Sequence, residues 1–120
     1  MLRYSIKAID DLGKIQLQIN LRRMLDLEVG DTITLLSMGG IVILQKLEED
    51  KPNISQQLAP HKIIKSTIGP AGRFVLSKGL RDEMGWKAAE NRLGERICVY
   101  YVDDSMLVLS RLQYRDKDLW

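Results

Sequence analysis

The sequence predicts a mainly β protein with short helices, built from two tandem copies of one strand–turn–strand–helix–hairpin unit. With 120 residues, 45% hydrophobic and 28% charged, the chain has the composition of an ordinary globular protein. Residues 11–17 read Asp-Leu-Gly-Lys-Ile-Gln-Leu and residues 70–76 read Pro-Ala-Gly-Arg-Phe-Val-Leu, and a Leu-Arg pair follows each stretch at the same distance. Repeats of this kind indicate duplicated structural units.

The strands follow from β-prone segments separated by turn residues. Residues 4–9 and 63–68 open the two copies, and Gly13 and Gly72 supply the turns after them. Alternation of Ile15, Leu17 and Ile19 with glutamines predicts a half-buried strand. Each copy closes with a predicted hairpin, 32–36 with 41–44 in the first and 97–102 with 106–109 in the second.

One short helix is predicted in each copy, with Asn20 and Ser77 as N-caps and Gly85 ending the second helix. Helices of about two turns need tertiary packing to persist, and one copy alone buries little surface. We therefore predict one shared core. The boundaries are residues 1–47 for the first repeat, 48–61 for a linker, 62–111 for the second repeat and 112–120 for a C-terminal tail.

The first copy resembles the DNA-binding domain of AbrB-type transcription regulators and of the wider SpoVT/MazE group. The matching residues are the run 7–14, the run 21–27, Gly30-Asp31 and the run 43–46, and a weaker match extends over residues 62–111. The resemblance implies a swapped-hairpin β-barrel, in which each unit places a hairpin within the other. Such units are usually separate chains of a dimer, so closure within one chain and pairing between two chains both stay open.

The resemblance also implies a DNA-binding surface of basic side chains on the strands, the turn and the helix. The implied DNA-binding residues are Lys7, Lys14, Arg22 and Arg23 in the first copy, with Lys65, Arg73 and Arg81 in the second. The second copy departs from the pattern, because Ser66 stands at the position of Lys7 and Asp82 at that of Arg23.

The charge distribution and the composition indicate which class of partner the protein binds and in which compartment it is found. The net charge is +2, yet five basic residues and no acidic one lie between Lys62 and Arg81, which suits a polyanion such as double-stranded DNA. No apolar run reaches the length of a membrane span. The single cysteine, Cys98, excludes an intrachain disulfide, so we expect a cytoplasmic protein.

Catalytic and metal-binding patterns are absent from the sequence. No nucleotide-binding loop or His-Glu-x-x-His pattern occurs, and one His with one Cys does not suit a zinc site. We therefore expect no enzyme activity and no cofactor.

The main hypothesis is a DNA-binding regulator that self-associates as a homodimer or larger species. Two alternative functions also fit the sequence. A MazE/VapB-like antitoxin would also bind a toxin, although only about nine residues follow Arg111 to wrap one. A MraZ-like regulator, also with two units per chain, would form a large ring-like assembly.

Overall fold

The computed structural model describes residues 4–47, 62–88, 94–103 and 106–111, so the predicted linker 48–61 and tail 112–120 lie outside the described residues. The elements in chain order are β1 Tyr4–Ala8, β2 Lys14–Gln16, α1 Ile19–Met24, β3 Thr32–Met38, β4 Ile41–Lys46, β5 Lys62–Thr67, a 3-10 turn Pro70–Gly72, β6 Arg73–Val75, α2 Lys78–Met84, β7 Arg96–Asp103 and β8 Met106–Arg111. The prediction of a mainly β protein with short helices is confirmed.

Two antiparallel sheets make up the β structure. The larger has six strands in the order β1-β7-β8-β4-β3-β5, and the smaller is a two-stranded ribbon of β2 and β6. Strands β1 and β5 form the two edges of the larger sheet, so this sheet is open within the part of the chain that the structure describes.

The strand order reads the same from either end once equivalent strands of the two repeats are exchanged. Strand β1 of the first repeat pairs with β7 of the second, and β5 of the second pairs with β3 of the first. At the centre of the large sheet Ile43 pairs with Val108, and at the centre of the ribbon Ile15 pairs with Phe74. Equivalent residues therefore meet at both centres, which places a pseudo-two-fold axis through the molecule.

The main core lies between one face of the large sheet, the ribbon and the two helices. Ile15, Phe74 and Leu80 are almost fully buried in it, together with Leu35 and Val99 from the sheet. Trp86, which follows α2, joins this core. Burial of apolar side chains from both repeats in one cluster stabilises them together.

The observed ends of α2 agree with the prediction from the sequence, whereas the observed start of α1 differs from it. The Ser77 hydroxyl accepts a hydrogen bond from the Leu80 amide at 3.2 Å, and Gly85 ends α2 in the left-handed region at φ 72. The prediction of Asn20 as a cap was wrong, because α1 begins at Ile19 and its N-cap is Gln18, without a side-chain hydrogen bond. The alternation thus stops at Leu17, and Ile19 lies on the helix with 47% of its surface exposed.

A basic residue at the end of each hairpin holds the segment that follows each helix. Lys46 Nζ donates to the Asp26 carbonyl at 2.7 Å and lies 3.6 Å from Asp31 Oδ2. In the second repeat, Arg111 donates to the Gly85 carbonyl and its Nε lies 3.6 Å from Glu95 Oε2. These matching contacts fix the helices relative to the large sheet in both halves.

The opposite face of the large sheet carries a second apolar cluster around Leu36, Ile43 and Val108. Cys98 lies on this face and is half-buried. No helix among the described residues is long and apolar enough to cross a membrane.

Candidate nucleic-acid interface

The β2–β6 ribbon brings basic side chains of the two repeats together. Lys14 pairs with Val75, and Gln16 pairs with Arg73. Because side chains alternate along a strand, these four point away from the buried Ile15–Phe74 pair. Lys14 and Arg73, at equivalent positions about the pseudo-two-fold axis, therefore both lie on the outer side of the ribbon.

Hydrogen bonds beyond the ribbon hold its ends in the same way on both sides. The Leu17 amide donates to the Gly72 carbonyl, and the Leu76 amide donates to the Gly13 carbonyl, both at 2.9 Å. Gly13 has φ 77 and Gly72 has φ 75, a conformation that favours glycine. The turn of each repeat is therefore bonded to the strand end of the other.

Two of the predicted DNA-binding residues, Arg22 and Arg81, are held at the junction between the repeats. Arg22 Nε donates to the Leu17 carbonyl at 3.3 Å, and Arg81 Nε donates to the Leu76 carbonyl at 2.9 Å. A Cβ atom at Gly72 would lie 2.5 Å from Arg22 Nε, and one at Gly13 would lie 3.0 Å from Arg81 Nε. Both guanidinium groups thus pack against the opposite repeat's turn and are partly buried.

Arg23 has a different environment from Arg22. Its side chain is exposed, and it forms no ion pair with any described residue. The equivalent residue in α2 is Asp82, whose Oδ2 lies 3.1 Å from Lys78 Nζ. The helix of the first repeat therefore offers a free cation where the second offers an internal ion pair.

Lys7 and Lys65 lie on different faces of the large sheet. Ser66, equivalent to Lys7, donates from its hydroxyl to the Val75 carbonyl at 3.3 Å and so faces the ribbon. Lys65 precedes Ser66 and points to the other face. The structure thus groups Lys7 with the ribbon and separates Lys65 from the other predicted residues.

The two turns differ in charge although their backbone paths correspond. In the first, Asp10 Oδ1 accepts from the Leu12 amide at 2.9 Å and from the Lys14 amide at 2.8 Å. In the second, Gly69 replaces the aspartate, and Pro70 begins a 3-10 turn. Asp11, exposed beside Asp10, adds a second carboxylate to the first turn only.

Three further polar residues at this surface were missed by sequence reasoning. Lys62 and Lys78 are both exposed. Lys78 is the first residue of α2, and the Lys62 Nζ atom lies 3.0 Å from where a Cβ on Gly79 would be. Gln16 Nε2 donates to the Ala71 carbonyl at 2.9 Å, across the ribbon. The sequence signal for both lysines is the stretch from Lys62 to Arg81, in which five residues are basic and none is acidic.

Other chemistry is limited on the described surface. Among residues 4–47, 62–88, 94–103 and 106–111, no group of three or more His, Cys, Asp and Glu residues is arranged to hold a metal ion. Burial raises the pKa of the Cys98 thiol, which keeps it protonated and weakly nucleophilic.

Comparisons with known proteins identify no family for the chain. No protein-family model matches it, and no curated protein matches it. Among solved structures, it is similar to the solution structure of PHS018 from Pyrococcus horikoshii, with 19% identity over 95% of this chain and 96% of that chain and a TM-score of 0.44.

Proposed function

We propose that this protein is a DNA-binding transcription regulator of the AbrB type, with the two repeats forming one swapped-hairpin barrel within a chain. The observation that carries the proposal is the ribbon, which presents Lys14 and Arg73 at equivalent positions on its outer side. The pairing of each repeat's first strand with the other repeat's hairpin supports the barrel part of the proposal.

Duplex DNA fits this arrangement of charge and shape. A two-stranded ribbon is narrow enough to approach the major groove, and lysine and arginine on its outer side neutralise phosphates and release counterions. Arg23 extends the basic surface along α1. Arg22 and Arg81 act as positioning residues in this proposal, because their guanidinium groups bind the chain's own carbonyls at 3.3 Å and 2.9 Å.

The proposal places the protein in the cytoplasm, with double-stranded DNA as its partner and without a catalytic step. Self-association into a homodimer or larger assembly is compatible with it, since the ribbon and the apolar cluster around Ile43 lie on opposite sides of the large sheet.

The direct test is a fluorescence anisotropy titration with a short random-sequence duplex at salt concentrations from about 50 to about 200 mM. We expect the logarithm of the binding constant to fall linearly with the logarithm of the salt concentration. The double variant Lys14→Gln/Arg73→Gln should bind the duplex much more weakly. Lys87→Gln is the matched control, because Lys87 is exposed but lies beyond α2, outside the ribbon. An affinity that does not change with salt concentration, or an equal loss of affinity in the Lys87→Gln control, would refute the proposal.

A further inference from the structure

The packing of Arg22 and Arg81 brings residues of the two repeats next to each other at the surface. Arg22 lies against Gly72, so α1 adjoins the turn of the second repeat, and Arg81 lies against Gly13, so α2 adjoins the turn of the first. We call α1 with residues 69–73 the first composite surface, and α2 with residues 10–14 the second composite surface. Each surface combines the helix of one repeat with the turn of the other.

The first composite surface carries only positive charge. Its charged residues are Arg22, Arg23 and Arg73, and neither α1 nor residues 69–73 contain a carboxylate. Asp26 lies beyond the end of α1 and shares Lys46 with Asp31, its Oδ2 lying 3.9 Å from Lys46 Nζ and that of Asp31 3.6 Å.

Lys7 adds to the first composite surface through the pseudo-two-fold relation. Ser66 binds the Val75 carbonyl, and the equivalents of these two residues are Lys7 and Gln16. Gln16 in turn binds the Ala71 carbonyl within the turn of the first composite surface. Lys7 itself pairs with the buried Ile97 and so faces the ribbon side of the large sheet. By this relation we infer that Lys7 lies beside the first composite surface as a fourth basic residue.

The second composite surface has more acidic than basic groups. Its basic residues are Lys14, Lys78 and Arg81, and its acidic residues are Asp10, Asp11, Asp82 and Glu83. Lys78 is paired with Asp82 at 3.1 Å. Within each repeat, the helix and turn together carry similar net charge. Because each helix packs against the other repeat's turn, the two composite surfaces differ in net charge.

We propose that the protein binds a DNA duplex in one fixed orientation, with the first composite surface making the main phosphate contacts, and that its preferred target is non-palindromic. This inference rests on the proposed function. A duplex has the same phosphate potential on both sides of a local dyad, so a protein with equal halves binds symmetrically, whereas four carboxylates on one half repel the phosphates there. The two halves of the target therefore make unequal contacts.

The sharpest test compares single charge removals at equivalent positions. Arg73→Gln and Lys14→Gln are measured with the random-sequence duplex, with Arg73→Lys as the charge-conserving control. We expect Arg73→Gln to reduce the salt slope by about one unit and Arg73→Lys to preserve it, while Lys14→Gln changes the affinity less than about twofold. Equal losses at the two positions would overturn the fixed orientation and leave DNA binding standing, whereas wild-type protein without salt-sensitive binding would overturn both.

Two further experiments test the proposal: a variant expected to bind DNA more tightly, and a selection of duplexes bound by the wild-type protein. Asp82→Arg removes a carboxylate and releases Lys78, and we expect it to tighten binding several-fold and to increase the salt slope by about one unit. Selection of bound duplexes from a randomised pool by the wild-type protein should give a consensus without internal two-fold symmetry. A palindromic consensus, or an Asp82→Arg variant that binds no tighter, would contradict the proposal.

Discussion

Ser37 and Glu83 are joined across the two repeats by a hydrogen bond of 2.9 Å from the serine hydroxyl to Oε2 of the carboxylate. Ser37 lies on β3 and is almost fully buried, whereas Glu83 lies on α2 and is exposed. At the equivalent positions, Tyr101 and Met24 pack instead against the main core. The serine and glutamate of one half are therefore replaced by a tyrosine and a methionine in the other.

Removing the two partners of this bond should have unequal effects. Glu83→Ala leaves the buried Ser37 hydroxyl without its partner and should reduce the free energy of unfolding by about 1–2 kcal/mol. Ser37→Ala leaves an exposed carboxylate that water can solvate, so we expect a loss of about 1 kcal/mol or less. Urea unfolding followed by circular dichroism measures both. A larger loss in Ser37→Ala than in Glu83→Ala would contradict this account.

Gly72→Ala should destabilise the protein by more than backbone strain alone. Gly72 has φ 75, and its Cβ would collide with Arg22. Gly39→Ala is the control, because Gly39 has φ 50 and nothing lies within 4 Å of its Cβ position. We expect the control to lose about 1 kcal/mol and Gly72→Ala to lose at least twice that.

The collision itself can be tested by a double-mutant cycle in thermal unfolding. Arg22→Ala should recover part of the loss in Gly72→Ala and none of the loss in Gly39→Ala, since only Gly72 adjoins the arginine. Additive effects of Arg22→Ala and Gly72→Ala would show that the two residues are not in contact.

The centre of the ribbon should be the part of the repeat junction most sensitive to substitution. Phe74 is 1% exposed and pairs with Ile15 of the first repeat. Phe74→Ala should reduce the free energy of unfolding by about 3–5 kcal/mol through lost burial and a cavity. Val75→Ala, in the same strand but 41% exposed, should lose less than about 1 kcal/mol. Comparable losses in chemical unfolding would show that Phe74 is not central to the core.

Cys98 should react slowly with thiol reagents in the folded protein. Burial raises the pKa of its thiol, so at pH about 8 the native protein holds less thiolate than the unfolded chain. The folded state then binds this proton more tightly, and the contribution to stability declines as the pH rises above the thiol's unfolded pKa. A disulfide-exchange assay with and without urea measures the rates. A native rate at or above the unfolded rate would refute a raised pKa.

Local sequence signals gave the strands and the second helix because those elements depend on nearby residues. Ser77 and Gly85 act within a few positions of themselves, and each was identified correctly. The start of α1 was misjudged, because Gln18 caps it without a side-chain bond and Ile19 extends the apolar alternation into the helix. The pattern alone could not separate these two conformations.

The candidate site was only partly predictable, since its composition depends on contacts between distant residues. Lys14 and Arg73 followed from the repeat, but the packing of Arg22 on Gly72 joins residues that are fifty positions apart. Counting charge along the chain could not show which helix adjoins which turn. Likewise, strand alternation separates Lys65 from Ser66, but only the fold shows which of the two faces the ribbon.

The pairing of β1 with β7 has a consequence for the order of events at the ribosome. Tyr4 is synthesised 96 residues before its partner Tyr100. The first repeat therefore leaves the exit tunnel with an unpaired strand and half a core. Folding must wait for the second repeat, since loop closure between distant segments precedes the contacts that stabilise them. During that interval the exposed strand can pair with another molecule.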